Sequence, residues 1–280
     1  KRSGIMYLAD QHIHSTCSDD GKNTMLEMAL ASQAQGVRHI CFTDHCDLDY
    51  FPSGIPDPNC FSIRPQLNEM YAEAASAAPA GITLALGLEL GEGNHDPARA
   101  MEIAAAPELD LVLGSIHNLR GMADFYGLEY PDESFCRQIL DSYMDELLEL
   151  SSVDCFDIMA HIGYPIRYTR RHGFKAEFSL HTHGDKLEAL LKALIEQGRG
   201  IEINCAGFRN PIIGGAIPDM DILKLYRQLG GEIITLGSDA HCTADAGSGL
   251  ARGFDILRKL RYKYIAVYSK RKPSFVKLPD

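Results

Sequence analysis

The chain has no excess of positive charge, no cysteines spaced C-x-x-C and no apolar run of membrane-spanning length, and each absence removes a class of function. Lys and Arg number 27 against 38 Asp and Glu, a formal charge of −11, which is the wrong sign for a protein whose principal partner is a nucleic-acid backbone. The eight cysteines, Cys17, Cys41, Cys46, Cys60, Cys136, Cys155, Cys205 and Cys242, are scattered. They read as reduced thiols packed as small hydrophobes, not as a disulfide framework or a thiolate zinc site. Without a stretch of about 20 apolar residues there is no candidate for a membrane span. The segment from Lys1 to Asp10 also lacks the apolar core of a secretion signal, so a cytoplasmic location is expected. Neither C-x5-R, D-x-D-x-[TV] nor G-x-x-x-x-G-K-[ST] occurs, which removes cysteine- and aspartate-nucleophile phosphoryl chemistry and P-loop nucleotide binding.

What is present is an ordinary globular composition, 45% hydrophobic over 280 residues, enough for one barrel-sized domain spanning 1–280. Seven apolar runs read as buried strands: Ile5 to Ala9, Val37 to Phe42, Ile82 to Leu90, Leu109 to Gly114, Cys155 to Ala160, Gly200 to Asn204 and Ile233 to Gly237. A helical pattern follows each of them, over Met25 to Gln35, Arg64 to Ala78, Pro97 to Ala105, Glu133 to Leu150, Asp185 to Gln197, Asp219 to Leu229 and Gly253 to Leu260. Strand and helix in regular alternation predict an α/β fold with a parallel sheet. The first helix carries its own boundaries, a capping box at Thr24 and Glu27 and a stop at Gly36. Two longer irregular stretches, Cys46 to Ile63 and Ile162 to His183, follow strands and are expected to wall a site. The locally basic end, Arg258 to Lys277, reads as a solvated tail or a terminal strand.

Polar, ligand-type residues gather where these runs end. After the first run come His12, His14 and Asp20, with Asp19 beside it; after the second, Asp44 and His45; at the third, Glu89. His117 follows the fourth, His161 the fifth, Asn204 the sixth, and Asp239 and His241 the seventh. In an extended segment His12 and His14 point the same way and can share an ion, although an H-x-H alone is a common coincidence. In a parallel barrel all of these strand ends share one face, where active sites sit. So many imidazoles and carboxylates exceed the needs of one ion, which implies two or three divalent metals of the Zn, Mn or Fe type. Outside this pattern, His39, His95 and His172 read as structural or solvated, as does the second H-x-H, His181 and His183, which precedes a helix.

The motifs His12-Ile13-His14-Ser15 with Ser18, Asp20 and Gly21, Thr43-Asp44-His45, Gly87-Leu88-Glu89, Gly114-Ser115-Ile116-His117, Ala160-His161, Glu202-Ile203-Asn204 and Gly237-Ser238-Asp239-Ala240-His241 together resemble the PHP (polymerase and histidinol phosphatase) family, and within it the histidinol-phosphatase branch. The resemblance implies a distorted TIM-like (β/α)7 barrel with a trinuclear centre. One ion would be held by His12, His14, Glu89 and Asp239, a second by Glu89 as a bridge with His117 and His161, and a third by Asp20, His45 and His241. Asp44 would orient a ligand. The activity implied is that of a phosphomonoesterase in histidine biosynthesis, releasing L-histidinol and phosphate from L-histidinol phosphate by attack of a metal-bridging hydroxide. Three divalent ions bring more positive charge than Glu89, Asp239 and Asp20 remove, which suits a small-molecule phosphate dianion. Asp239, His45 and His241 are the catalytic candidates, with a water, His45 or His241 protonating the leaving alkoxide. Arg167, Arg209 and Asn204 are the substrate-binding candidates, Arg170 and Arg171 being read as surface charges, and Asp47 or Phe51 could receive the amine and imidazole of the substrate. The competing readings are a PHP phosphoesterase acting on nucleotides or other small phosphate esters, a catalytically silent metal-binding PHP domain, and a metal amidohydrolase, which would want a lysine where His117 stands.

Overall fold

In the computed structural model, residues 8–48, 63–171 and 173–278 are described. The start of the first expected strand at Ile5, Phe51 and Cys60 in the Cys46 to Ile63 stretch, and His172 lie outside them. Eight parallel strands make the wall of a barrel: β1 (Leu8–Ile13), β2 (Val37–Phe42), β3 (His45–Asp47), β4 (Thr83–Gly91), β5 (Leu111–Ser115), β6 (Ile158–Met159), β7 (Gly200–Asn204) and β8 (Ile234–Gly237). Their order is β1-β2-β4-β5-β6-β7-β8, and β3 carries on from β2 beside the far end of β4, with His45 opposite Glu89. The barrel nearly closes, because Ile13 forms a bridge with Ala240 and the His14 N–H donates to the Ala240 carbonyl at 3.0 Å. The expected seven-membered barrel is therefore present, with β3 as an addition inside a stretch the sequence pattern left irregular.

Alternation along the strands sorts the side chains. Cys41, Ala85, Leu111, Leu113, Ile158 and Ala160 form a small cluster of their own, while Phe42, Leu86, Leu88, Val112 and Met159 join the large core that the helices cover. Those helices are α1 (Met25–Ala34), α2 (Ile63–Ala77), α3 (Pro97–Ala104), α4 (Glu133–Ser151), the short α5 (Ile166–Thr169), α6 (Leu180–Glu196), α7 (Met220–Gln228) and α8 (Leu250–Lys259). Their starts are written locally. Thr24 Oγ1 accepts from the Glu27 N–H and Glu27 Oε2 accepts from the Thr24 N–H, completing the box at α1, and Asp96, Asp132 and Asp219 cap α3, α4 and α7. The start of α6 lies earlier than Asp185, with a non-helical break at His183, so the second H-x-H falls in its first turns.

The basic C-terminal stretch is neither tail nor lone strand. It forms a hairpin, β9 (Tyr264–Ser269) and β10 (Lys272–Lys277), around Lys270 and Arg271 at φ 50° and 60°. Ala266 and Tyr268 join the small cluster, and the Gln11 amide clips the β9 backbone, donating to the Ala266 carbonyl and accepting from the Tyr268 N–H. Arg271 grips Asp157 through two bonds of 3.0 Å, and the Lys270 N–H donates to Asp110. Asp110 and Asp157 precede β5 and β6, so the hairpin seals the end of the barrel opposite the strand C-termini.

Candidate metal centre

At the open end the strand termini deliver one cluster. His12 Nε2 lies 3.1 Å from His14 Nε2, 3.1 Å from Glu89 Oε2 and 3.7 Å from Asp239 Oδ1. His14 Nε2 is 3.5 Å from Glu89 Oε2 and 3.6 Å from Asp239 Oδ1. Around an ion with bonds of about 2.0–2.2 Å, the edges of a tetrahedral donor set measure about 3.3–3.6 Å, so these four residues stand at the spacing of a coordination shell. On the other side of Glu89, Oε1 is 3.1 Å from His117 Nε2 and 2.7 Å from His161 Nε2. A third group is more open: His45 Nε2 is 3.5 Å from His241 Nε2, and the Asp20 carboxylate lies 3.8 and 3.2 Å from them. His45 Nδ1 sits 3.1 Å from Glu89 Oε2 without the alignment of a hydrogen bond. The side chains of His45, His241 and Asp20 are 25%, 26% and 63% exposed, against 8% or less for the other six.

The hydrogen bonds behind the rings fix which nitrogen faces inward. Ser18 gives its only O–H to Asp44 Oδ1 at 2.7 Å, so towards His14 Nδ1, 3.1 Å away, it can only accept. His12 Nδ1 bonds Glu202 Oε1 at 2.9 Å, His117 Nδ1 bonds Asp47 Oδ1 at 3.1 Å and His241 Nδ1 bonds the Asp239 carbonyl at 3.2 Å. In each neutral ring the proton therefore sits on Nδ1 and the Nε2 lone pair points into the cluster. Two such lone pairs 3.1 Å apart, facing carboxylate oxygens, repel unless a cation stands between them.

The titration behaviour carries the same message. Burial works against its charge, yet His12, His117 and His45 hold the Glu89 carboxyl well below its usual range, and His12, His14, His241 and Arg167 do the same for Asp239. Burial likewise opposes protonation of His12, but Glu89, Glu202 and Asp239 push it well above the ordinary imidazole value. Its neighbour His14 is driven the other way, well below, by burial and by His241 and His45. Glu89 overcomes burial at His117, which is raised well above its usual value, and at His45, raised to about 9. Rings in contact cannot all take a proton, whereas a bound divalent ion satisfies every lone pair at once.

Local chain geometry is bent to this purpose. Asp239 and Glu92 both sit at φ 53°, a region non-glycine residues enter at a cost. The Arg209 guanidinium donates to the carbonyls of Ser238 and Asp239 at 2.8 and 3.0 Å, holding the first bend, while Glu92 Oε1 accepts the His117 N–H at 2.6 Å across the second. Gly237 has no room for a side chain, since a Cβ would lie 2.1 Å from Glu202 Oε1 and 2.3 Å from the His12 Cβ. Asp44 accepts from the Ser15 N–H, the Ser15 hydroxyl and the Ser18 hydroxyl, and Ser18 in turn touches His14.

Two expectations need correction. Asn204, a substrate-binding candidate, has its amide engaged within the protein. It is fully buried, its Nδ2 donates to Glu202 Oε2 and Asp239 Oδ2, both at 3.2 Å, and its Oδ1 accepts from Ala206 N–H. Asp47, offered above for the amine, is engaged by His117 Nδ1. Arg171 is exposed, as a surface charge is, and with Arg167 and Arg209 it lines a cavity of about 500 Å³ that opens onto Asp239 and His241. Arg167 reaches Asp239 Oδ2 at 3.5 Å and lies over the Tyr164 ring. Among the other histidines, His39 is buried on the opposite side of the barrel and His183 bonds Asp141 and Thr182, away from the cluster. Glu202 and Glu92 carry no role in the sequence reading. The signal for Glu202 was its spacing, two residues before Asn204 on one strand face.

Comparison with known proteins gives this geometry a context. Residues 10–206 match the profile of the PHP domain. A protein named probable histidinol-phosphatase from Thermotoga maritima is 28% identical over 267 residues, spanning 94% of this chain and 97% of that protein. A histidinol-phosphatase from Lactococcus lactis is 24% identical over 264 residues, 94% of this chain and 95% of that one. The crystal structure of a histidinol phosphate phosphatase from the same species, complexed with zinc, L-histidinol and phosphate, superimposes with a TM-score of 0.75 over 95% of this chain and 98% of its own, at 24% identity.

Proposed function

The chain belongs to the PHP-domain family, and from that premise we propose that its barrel-mouth cluster holds two or three divalent ions, Zn, Mn or Fe, and hydrolyses a phosphate monoester, L-histidinol phosphate. The observation that carries the reading is the convergence of Nε2 atoms from His12, His14, His117 and His241 on Glu89, Asp239 and Asp20, an arrangement that divalent ions would satisfy at once. The residues fit as three sets: His12, His14, Glu89 and Asp239; Glu89, His117 and His161; and Asp20, His45 and His241. Divalent ions bound there lower the pKa of a water towards neutrality and neutralise phosphate charge. The rest falls to side chains. Arg167 and Arg209, with Arg171 beside them, present guanidinium N–H groups to the phosphate oxygens at the mouth. With ions in the first two sets alone, His45 and His241, the two partly exposed rings, would be free to supply the proton the leaving alkoxide needs. Asp239 joins the two functions, being a ligand and the acceptor for Arg167.

The relatives named histidinol-phosphatase cover nearly the full length of this chain, which supports the choice of alcohol and a place in histidine biosynthesis. We read residues 1–280 as one domain. The continuous strand order and the hairpin clipped to the strand entrances support this. The substrate is a small molecule, and no helix among the described residues is long and apolar enough to cross a membrane. The seven described cysteines are all free thiols, which supports a cytoplasmic location.

Phosphate release from metal-loaded protein, measured with histidinol phosphate beside sugar phosphates and nucleotides, tests the assignment. A specificity constant for histidinol phosphate at least about 100-fold above the panel is expected, equivalent to about 2.7 kcal/mol of transition-state discrimination. A value below those of the nucleotides would move the protein to the broader phosphoesterases.

A further inference from the structure

Glu202 touches the cluster without belonging to any of the three donor sets. Its two oxygens serve different sets: Oε1 accepts from His12 Nδ1 at 2.9 Å, and Oε2 accepts from the backbone N–H of His161 at 2.9 Å. Asn204 Nδ2 adds a second donor to Oε2 at 3.2 Å and spans from there to Asp239 Oδ2. The carboxylate is 1% exposed, and the space a Cβ on Gly237 would need is filled by Oε1, so packing leaves the carboxylate one position. We propose that Glu202 is the positioning residue that ties the two inner metal sets together. It sets the tautomer of His12 in the first and the backbone of His161 in the second. This rests on the metal-dependent reading above.

The chemistry of the contacts makes the claim sharp. Both oxygens of Glu202 only accept, and three N–H donors surround them. In Glu202→Gln the two donors at the Oε2 position, His161 N–H and Asn204 Nδ2–H, keep the amide oxygen there and turn the NH2 group towards His12. Facing a donor, His12 can bond only through an unprotonated Nδ1, so its proton moves to Nε2, where the first ion would bind. Glu202→Ala removes the acceptor from both sets at once.

The test is a competition titration of purified protein with zinc against a chromophoric chelator, together with proton NMR of the zinc-loaded protein. In Glu202→Gln the first inner equivalent weakens about 10–100-fold, the usual effect of losing a group behind a metal-bound imidazole. The exchange-protected His12 Nδ1–H resonance, expected downfield because it points at a carboxylate, disappears. In Glu202→Ala the second inner equivalent weakens as well and the His161 amide exchanges faster, while the exposed equivalent at His45 and His241 moves less than about three-fold in either variant. A Glu202→Gln protein that keeps the resonance and the wild-type affinity overturns the proposal, as does a Glu202→Ala protein in which only one inner equivalent moves. Should Glu202→Ala not fold, the isosteric Gln variant and its resonance decide. A wild-type protein that binds no zinc would instead defeat the metal reading itself.

Discussion

Substituting Gly237 with alanine is the most economical way to ask whether the cluster's geometry matters. The added Cβ would fall 2.1 Å from Glu202 Oε1 and 2.3 Å from His12 Cβ, both far inside contact distance. Relief requires Glu202 Oε1 to retreat by about 1.4 Å or more and His12 Cβ by about 1.2 Å or more, if ordinary contacts of about 3.5–4.0 Å are to be restored. His12 Nε2 now stands 3.1 to 3.7 Å from its three co-donors. A shift of that size takes it out of a shell whose bonds are only about 2 Å long. Metal affinity should therefore fall about 10–100-fold and turnover of histidinol phosphate about 100-fold or more, with overpacking costing about 1–3 kcal/mol of stability. Zinc competition, phosphate release at saturating zinc and urea melts measure the three effects separately. Gly184→Ala is the control, since its Cβ would meet nothing within 4 Å; it should change stability by less than about 1 kcal/mol and leave zinc affinity alone. A Gly237→Ala enzyme within three-fold of wild type in both affinity and turnover would refute the argument that packing presets this shell.

Four further outcomes are expected. His39 is buried beneath the barrel, and that burial, against a weaker opposing pull from Asp110, lowers its pKa from 6.5 to about 4. A depressed histidine stays neutral in the fold while the unfolded chain takes up a proton below about pH 6.5, so its contribution is present above that pH and is lost as pH falls to about 4, reaching about 3 kcal/mol. His39→Leu should flatten the fall in unfolding free energy across that window; an unchanged slope would count against it. Arg271→Ala should cost about 1–3 kcal/mol in urea melts by releasing Asp157 and the hairpin, with zinc stoichiometry unaltered. Arg167→Ala should raise KM for the phosphate ester about 10-fold or more, and a KM within two-fold of wild type would remove Arg167 from the phosphate grip. Stripping metal with a chelator should lower the melting temperature by on the order of 10 °C, because ligand binding at about 1,000 times Kd is worth about 4 kcal/mol; coincident melts would show the shell needs no cation.

The nine proposed ligands were legible because they fall at or just past strand ends, so a correct strand count already places them on one rim. Period and position gathered His12, Glu89 and His161 at the rim, together with Asp44 and Asn204, and the family resemblance then separated proposed ligands from the rest. What could not be read were relations across the barrel. Asn204 ends a strand facing the centre, as a substrate-binding residue would, yet Glu202, Asp239 and Ala206 already use its amide. Asp47 looked free for an amine, and only the pairing of β3 with β4 shows that it stands beside His117. The β3 strand itself was hidden because His45-Cys46-Asp47 has no apolar run; it is extended because the long β4 offers an edge that β2 leaves uncovered beyond Leu86. The hairpin was masked by charge. Lys270, Arg271 and Lys272 look like part of a solvated tail or terminal strand in sequence, while Ile265, Ala266, Val267 and Tyr268 just before them are buried.

The two ends of the barrel solve opposite problems. At the mouth, buried carboxylates and imidazoles are held at spacings that favour an ion over one another, with two residues at φ 53° and a glycine where no side chain fits. Such an arrangement is costly without its cations, so the mouth contributes least to stability when the ligands are unoccupied. The floor carries the compensating order, where the interior is narrow and apolar, the Gln11 amide is satisfied by backbone, and Asp110 and Asp157 are bonded by the hairpin. Strain at the rim can persist because the strands that carry it are pinned at their other ends. By that reasoning, loosening the floor should cost stability without moving the ligands, whereas adding one methyl group at Gly237 should move the ligands at a similar cost to the fold.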